Sequence, residues 1–219
     1  SLICGTMVWK IRKRVCGIRP LKRFIYLISP NKIYKDFYLN LDKVLSAKNV
    51  KFFQLRLKNT NSKKIENIST KLKKITTKHN VKFIINDNFR LVSKIKADGC
   101  HMGQFDGSFK LARKKLKRKI LGITCHNSKV LAMNAIENKA DYIAFGSFFK
   151  SRLKPNAKKA NLNILKWAKE NTRKPIVVIG GINNINYKNL IKVGAKYIAL
   201  SSFIWDNPKL KPEIAIKKF

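Results

Sequence analysis

The order of elements along the chain predicts an α/β protein with a single-domain (β/α)8 TIM barrel. Short apolar segments typical of strands alternate with amphipathic segments typical of helices, giving eight units at a spacing of roughly 20–30 residues. Most strand segments are apolar along their whole length, as parallel strands covered on both faces are. Eight such units close into a barrel, and the alternative arrangement of the same units is a doubly wound open sheet.

Each predicted element follows from local patterning and from its stop signals. Residues 1–20 are basic and irregular and predict an N-terminal extension, whereas residues 21–219 form the barrel domain. Pro30 ends the first strand, and Pro208 and Pro212 interrupt the last helix. The predicted strands are 23–29, 50–58, 83–85, 97–102, 119–124, 140–146, 175–180 and 195–201. The predicted helices are 37–47, 62–79, 89–95, 108–117, 128–138, 162–171, 185–193 and 202–216.

The charge balance is strongly basic. The chain of 219 residues has 49 Lys and Arg against 11 Asp and Glu, a formal net charge of +38, with 45% hydrophobic residues. This hydrophobic content excludes a disordered chain, and the charge is compatible with nucleic acid, an anionic membrane surface or phosphorylated substrates. Because the lysines are scattered over predicted helix surfaces, we attribute most of the charge to compositional drift, with a phosphate-attracting field as its by-product.

Polar side chains follow two neighbouring strands in the middle of the chain. Asn86 and Asp87 come after the third strand, and His101, Gln104 and Asp106 lie at the end of the fourth strand or just beyond it. Because the carboxyl ends of parallel strands meet at one face of a barrel, these side chains are predicted to lie together. The oxygen ligands of Asn86, Asp87 and Asp106 suit Mg²⁺, which takes one or two carboxylates plus waters and substrate phosphates.

Both aspartates also have ordinary structural interpretations. Asp87 is in position to cap the predicted helix 89–95. Asp106 precedes Gly107 and has the chemistry of a turn residue. The sequence leaves both interpretations open beside the metal site.

Further candidates lie at the other strand ends. Gln54, Arg56 and Lys58 alternate along the second predicted strand, so all three are expected to point the same way near its carboxyl end. The loop after the sixth strand is a cationic flap, and a backbone phosphate cradle commonly follows strands seven and eight of this fold. The candidates after strands five to eight are Thr124, Ser151, Arg152, Lys154, Gly180, Gly181, Ile182, Ser201 and Ser202.

These motifs, in this order, resemble the thiamine-phosphate synthase family over residues 23–203. The segments that carry the resemblance are QLRLK (54–58), IINDN (84–88), ADGCHMGQFD (97–106), LGITCH (121–126), ADYIAFGSFFKSRLK (140–154), VIGGI (178–182) and ALSS (199–202). The resemblance implies a transferase that condenses hydroxymethylpyrimidine diphosphate with thiazole phosphate, with Mg²⁺ as cofactor. It also implies small phosphorylated substrates as the partners of the chain.

The resemblance also implies roles residue by residue. Asp87 and Asp106 would bind Mg²⁺. The diphosphate would be held by Arg56, Lys58, Asn86, Thr124 and Lys154. The pyrimidine would lie against Gln54, His101 and Gln104. The thiazole phosphate would be held by Ser151, Gly181, Ser201 and Ser202.

The flap departs from the family pattern and keeps a related reaction open. Leu153 stands where the family usually has a Thr, and Leu cannot donate a hydrogen bond to a phosphate. Lys150 and Ser147 stand where prolines are common, and Thr124 replaces the usual Ser. The alternative within the superfamily is a thiazole tautomerase, for which His126 is the candidate acid or base. Such a proton-transfer enzyme has no use for the two aspartates together with Arg56 and Lys58.

A non-catalytic interpretation is a basic barrel that binds nucleic acid. It requires aromatic side chains among clustered cations, and the three tryptophans, Trp9, Trp167 and Trp205, do not stand in such a pattern, so nucleic acid is an unlikely partner. The four cysteines show no CxxC pairing and predict reduced thiols in a cytoplasmic protein. The longest apolar runs are too short to span a bilayer, and no signal-peptide hydrophobic region is apparent, so neither a membrane partner nor export is expected.

Overall fold

A computed structural model describes residues 23–150 and 159–219, and their strands form a closed barrel. All eight strands are parallel, each pairs with its neighbours in chain order, and β8 closes on β1. The predicted (β/α)8 fold is therefore confirmed, while the extension 1–20 lies outside the described residues. The strands are β1 Ile25–Ile28, β2 Val50–Leu55, β3 Lys82–Asn86, β4 Gly99–Met102, β5 Ile120–His126, β6 Tyr142–Gly146, β7 Ile176–Ile179 and β8 Tyr197–Leu200.

Helices cover the outside of the barrel with their apolar sides inward. They are α1 Phe37–Leu45, α2 Ser62–Lys78, α3 Phe109–Leu116, α4 Lys129–Glu137, α5 Leu162–Asn171, α6 Tyr187–Val193, α7 Ser202–Trp205 and α8 Pro212–Ala215. Side chains of Asn61, Ser108, Ser128 and Asn161 accept a hydrogen bond from the first turn of α2, α3, α4 and α5, respectively. These caps satisfy amide groups that have no partner inside the helix. In the described ranges, no helix combines the length and the apolar character needed to cross a membrane.

Two predicted helices differ from the structure. The segment predicted as helix 89–95 forms only a 3₁₀ turn, Phe89–Leu91, followed by further turns. The turns already bury Phe89, Leu91, Val92 and Ile95, so the apolar side of this segment is covered without a regular helix. The last predicted helix divides into α7 and α8, and Pro212 begins α8, where a missing amide hydrogen costs nothing.

The second strand is shorter than its sequence predicts. It ends at Leu55, so Arg56 and Lys58 lie beyond the strand. The predicted alternation of Gln54, Arg56 and Lys58 along one strand is therefore wrong. Charged side chains have no place in the apolar interior of the barrel, so the chain leaves the sheet where the apolar residues end.

Two acidic residues at the opposite end of the barrel have a structural role. Asp98 Oδ2 accepts from Phe83 N at 2.7 Å, and Asp141 Oδ2 accepts from Leu121 N at 2.8 Å, where β3 and β5 begin. Both aspartates also form ion pairs, Asp98 with Lys73 and Asp141 with Arg113. They hold the amino ends of the strands, far from the residues that follow the carboxyl ends.

The barrel interior is a packed, aromatic core. The side chains that fill it belong to a cluster separate from the larger core between sheet and helices: Tyr26, Ile28, Phe52, Ile84, Tyr142, Ala144, Val177, Tyr197 and Ala199. The Tyr26 ring lies 5.3 Å from that of Phe52 and 5.6 Å from that of Tyr142, between centroids. Because these rings fill the interior, a ligand can enter only as far as the layer at the mouth.

Candidate active site

The carboxyl ends of the strands form one mouth, and the structure brings Asp87 and Asp106 together on its β3–β4 side. Asp87 N donates to His101 O at 2.8 Å, which ties the end of β3 to β4. Asp106 Oδ2 accepts from Gly103 N at 2.7 Å, which folds the loop after β4 back on itself. The two aspartate side chains lie close enough together for the charge of Asp106 to raise the pKa of Asp87.

This pair is electrostatically strained in the absence of a cation. Burial raises the pKa of Asp87 to about 6, and the negative charge of Asp106 acts in the same direction. Arg56 and Lys58 lie close enough for their charges to lower the pKa of Asp87 in opposition. A site that favours a proton between two carboxylates also favours a divalent cation in its place.

The donor set fits Mg²⁺ rather than a metal that needs a full protein cage. Across residues 23–150 and 159–219, no three His, Cys, Asp or Glu residues lie close enough together to form a metal cluster. Two carboxylates leave coordination positions for water and substrate phosphate, as Mg²⁺ commonly has. Asp87 and Asp106 are therefore the residues that could hold the ion.

The structural interpretations of the two aspartates have different outcomes. Asn88, not Asp87, caps the turn after β3, because its Oδ1 accepts from Arg90 N at 3.2 Å. Asp87 instead has a left-handed backbone, with φ of 63°, an angle that Asp tolerates better than most residues. Asp106 does stabilise a turn through Gly103, and this bond also fixes its carboxylate beside Asp87.

Arg56 and Lys58 occupy the adjoining part of the rim. Arg56 N donates to Ser29 Oγ at 2.9 Å, which joins the chain beyond β2 to the end of β1. Arg56 is partly buried and Lys58 is exposed, so both cations remain accessible to an anion in the mouth. The rim thus places two cations and two carboxylates around one opening.

A continuous chain of hydrogen bonds crosses the barrel just below the mouth. Gln54 Nε2 donates to Tyr26 OH at 2.8 Å, and the hydroxyls of Tyr26 and Tyr142 lie 2.7 Å apart. His101 Nδ1 lies 2.9 Å from Tyr142 OH, and its Nε2 lies 2.8 Å from Thr124 Oγ1. The predicted site residues Gln54, His101 and Thr124 are therefore joined through two tyrosines that the sequence interpretation did not select.

Burial controls the ionisation of this chain. It raises the pKa of Tyr26 and of Tyr142 well above the usual tyrosine range. It lowers the pKa of His101 to about 4, with the charge of Arg56 acting in the same direction and that of Asp106 against it. The tyrosines and the histidine are therefore neutral near pH 7. One sequence signal could have revealed the tyrosines, since a Tyr inside a doubly covered strand needs a partner for its hydroxyl.

Gln104 closes the β4 side of the mouth. Its Nε2 donates to Thr124 O at 2.6 Å, which fastens the loop after β4 to β5. The side chain predicted to contact substrate thus has a structural bond as well. It remains partly exposed toward the opening.

Gly180 and Gly181, after β7, form a second polar region of the mouth. Their φ angles are 108° and 61°, values that favour glycine. A Cβ on Gly180 would lie 1.9 Å from Ser147 Oγ, and one on Gly181 would lie 2.6 Å from Lys150 O. Within the described ranges, no protein acceptor lies on the backbone N–H of Gly181 or Ile182. Two such amide groups can bind an anion.

The two serines after β8 lie in different settings. Ser201 Oγ donates to Ser29 O at 3.2 Å, so this hydroxyl joins β8 to β1. Ser202 is the first residue of the short helix α7 and its side chain is exposed. Ser202 is therefore the more accessible of the two predicted phosphate-binding serines.

The remaining predicted residues fall in two groups. Ser151, Arg152, Leu153 and Lys154 lie outside the described residues. His126, the acid–base candidate of the alternative reaction, has an exposed side chain at the end of β5. It takes no part in the hydrogen-bond chain that holds Gln54, His101 and Thr124.

Comparison with known proteins points to one family. The family model for thiamine monophosphate synthase matches residues 25–204. The thiamine-phosphate synthase of Pelagibacter ubique is 52% identical over 199 residues, covering 90% of this chain and 96% of the relative. That of Erythrobacter litoralis is 40% identical over 186 residues, covering 83% and 87%, respectively. Among solved structures, thiamine phosphate pyrophosphorylase from Pyrococcus furiosus has a TM-score of 0.80 at 24% identity, covering 91% of this chain and 94% of that one.

Proposed function

The chain belongs to the thiamine monophosphate synthase family, and on this premise we propose how the residues of its mouth carry out the reaction. The enzyme transfers the pyrimidine moiety of hydroxymethylpyrimidine diphosphate to a thiazole phosphate, giving thiamine phosphate and pyrophosphate. The observation that carries the residue assignment is the Asp87–Asp106 pair with Arg56 and Lys58 beside it. This arrangement suits a negatively charged substrate that binds together with a metal cation.

In this proposal, Asp87 and Asp106 would hold Mg²⁺ at the rim. When bound, the ion would neutralise charge on the diphosphate leaving group. The carboxyl pair supports the assignment, because burial, with the nearby Asp106 acting in the same direction, raises the pKa of Asp87, and a bound cation would stabilise both carboxylates in their charged form.

Protein side chains would hold the rest of the diphosphate. Arg56 and Lys58 would bind its oxygens as cations, while Asn86 and the hydroxyl of Thr124 would donate neutral hydrogen bonds. We place Lys154 with this group from its motif alone. These groups stabilise the charge that develops on pyrophosphate as the C–O bond breaks.

The pyrimidine would lie over the polar chain, against Gln54, His101 and Gln104. A pyrimidine ring combines donors, acceptors and an apolar face. Gln54 is 2% exposed and lies at the top of the packed interior, so it would contact a ring that enters no deeper than the mouth layer. His101 stacks on Tyr142 at 5.7 Å between centroids, so the floor is flat and aromatic.

The thiazole phosphate would bind on the opposite side of the mouth. The amide of Gly181, which has no acceptor among the described residues, and the hydroxyl of Ser202 would donate to it. Ser201 would border the cradle and Ser151 would complete it from the flap. The two anion sites then hold the thiazole nitrogen in line with the carbon that loses pyrophosphate. Catalysis consists of this alignment and of leaving-group stabilisation; no protein nucleophile is needed.

The alternatives lack equivalent support. A thiazole tautomerase would need an acid or base in the mouth, and the exposed His126 does not contact the polar chain. A nucleic-acid-binding barrel would have no use for paired aspartates inside a cationic rim. Because Cys100 and Cys125 are free thiols, we place the enzyme in the cytoplasm, acting on small phosphorylated substrates.

The deciding assay combines both substrates with Mg²⁺ and measures thiamine phosphate and pyrophosphate in equal amounts. The same preparation is offered the thiazole carboxylate phosphate alone. Condensation without isomerisation supports the synthase, and isomerisation without condensation would contradict it.

A further inference from the structure

The hydrogen-bond chain below the mouth has a direction that its donors fix. It runs from Gln54 through Tyr26, Tyr142 and His101 to Thr124, with successive contacts between 2.7 and 2.9 Å. A tyrosine hydroxyl has one hydrogen, and a neutral histidine has one N–H. Each tyrosine and the neutral histidine can therefore donate only once, and one fixed end orders the whole chain.

Gln54 is the fixed end. Its amide nitrogen only donates, so the Tyr26 oxygen accepts and its own hydrogen points to Tyr142. The Tyr142 hydrogen then points to Nδ1 of His101, which leaves the histidine hydrogen on Nε2, facing Thr124. Thr124 Oγ1 accepts that hydrogen and keeps its own hydrogen for another acceptor.

The reverse direction leaves a buried donor without an acceptor. If Thr124 donated to His101, then His101 would donate to Tyr142 and Tyr142 to Tyr26. The Tyr26 hydroxyl, in a residue that is 1% exposed, would then face only the amide nitrogen of Gln54 and the hydroxyl that donates to it. If His101 carried hydrogen on both nitrogens, it would likewise donate to Tyr142, and the Tyr26 hydroxyl would again have no acceptor. Native proteins rarely leave such a group unsatisfied.

We propose that Tyr26, Tyr142 and His101 are positioning residues that transmit the orientation of the Gln54 amide to Thr124, so that the Thr124 hydroxyl donates into the mouth. This inference rests on the proposed function only for the acceptor, the diphosphate. It gives a reason why two tyrosine hydroxyls lie inside the barrel, where phenylalanine would fill the same space. In the described part of the chain, the Thr124 hydroxyl has no other protein acceptor.

The fold provides room for Tyr142 at one strand position. A Cβ on Gly122 would lie 1.9 Å from Cζ of Tyr142 and 2.2 Å from its hydroxyl. Gly122 in β5 and Tyr142 in β6 are also paired in the sheet register. The missing side chain on β5 therefore lets the phenol reach both Tyr26 and His101.

Nuclear magnetic resonance tests the direction without reference to activity. The chain has three histidines, and replacing His79 by Gln and His126 by Asn leaves His101 alone. In this ¹⁵N-histidine-labelled protein near pH 7, one-bond coupling to hydrogen is expected at Nε2 and not at Nδ1. Hydrogen on Nδ1, or on both nitrogens, would overturn the proposal.

Variants test whether the chain acts on Thr124. Tyr142→Phe removes the donor to Nδ1, so hydrogen should appear there in part, and kcat should fall about threefold to tenfold, as expected for a lost neutral hydrogen bond. Tyr197→Phe is the matched control, because Tyr197 belongs to the same interior cluster and lies outside this hydrogen-bond chain; its kcat should not change. Thr124→Ser should retain most activity, whereas Thr124→Val should lose at least as much as Tyr142→Phe.

The two proposals fail in different ways. If the tautomer is as expected but no thiamine phosphate forms, the proposed function is wrong and the hydrogen-bond direction stands. If thiamine phosphate forms and Tyr142→Phe changes neither the tautomer nor kcat, the positioning role is refuted. A folded Tyr142→Phe protein is verified by its thermal transition.

Discussion

Replacing Asp106 by Asn removes one charge from the mouth while preserving its shape. The Asn side-chain oxygen can still accept from Gly103 N, so the loop after β4 should keep its fold. The Asn amide group can also donate a hydrogen bond to the Asp87 carboxylate. What is lost is one of the two negative charges that would attract Mg²⁺.

The size of the loss follows from the charge and its surroundings. A divalent cation and a unit negative charge about 4 Å apart interact by about 8 kcal/mol at an effective dielectric constant near 20. The side chains are partly exposed and Arg56 and Lys58 lie near, so screening reduces this value. We expect Mg²⁺ binding to lose a net of about 2–4 kcal/mol. In the presence of the pyrimidine diphosphate, the Mg²⁺ concentration that gives half-maximal activity should therefore rise roughly 30-fold to 1000-fold.

The assay is a Mg²⁺ titration of thiamine phosphate formation, with Asp141→Asn as the matched control. Asp141 lies at the opposite end of the barrel, where it caps β5 and pairs with Arg113. Its replacement should lower thermal stability and leave the Mg²⁺ dependence unchanged. Full turnover of the parent enzyme in EDTA, or an unchanged titration for Asp106→Asn, would refute the metal assignment.

Three further outcomes follow from the geometry. Gly122→Ala should lower the free energy of unfolding, measured with denaturant, by about 1–3 kcal/mol, because the new methyl group overpacks against Tyr142. In a Tyr142→Ala background the same substitution should lower it much less. Gly181→Ala should raise the KM for thiazole phosphate more than tenfold, because Ala disfavours a φ of 61° and its Cβ would lie 2.6 Å from Lys150 O. An equal rise in the KM for the pyrimidine diphosphate would contradict this. The free energy of unfolding of the metal-free protein should fall as pH rises from 3.8 to about 6, because the folded state holds the Asp87 proton more tightly than the unfolded state. Asp87→Asn should remove this pH dependence of the melting temperature.

The sequence predicted the barrel because the burial of parallel strands is encoded locally. Runs such as residues 23–29 and 175–180 have no polar face, so each strand could be identified without knowledge of its partners. The proximity of Asp87 and Asp106 followed from the same logic, since strand ends converge at one mouth. Strand ends themselves were less certain: β2 stops at Leu55 because the charged Arg56 and Lys58 cannot enter the interior.

The polar chain could not be predicted in the same way. Tyr26 and Tyr142 are 116 residues apart, and their contact depends on barrel closure and on the space over Gly122. Strand patterning identifies which residues are buried, but it does not say which hydroxyls meet inside the barrel. The helix expected at 89–95 failed for a related reason, because tertiary burial of its apolar residues was achieved by turns.

The aspartate pair is the place where the chain departs most from what stability alone would select. Only 11 acidic residues stand against 49 basic ones, and Asp42, Asp98 and Asp141 each form an ion pair with a Lys or Arg. Asp87 and Asp106 lie beside each other instead, and burial together with the charge of Asp106 raises the pKa of Asp87 even though Arg56 and Lys58 act against it. Structural ion pairs do not need this arrangement, whereas a cation-binding site does. In the proposed function, the surplus of positive charge would then have a local effect, because it would draw the diphosphate toward the part of the rim where Asp87 and Asp106 would hold Mg²⁺.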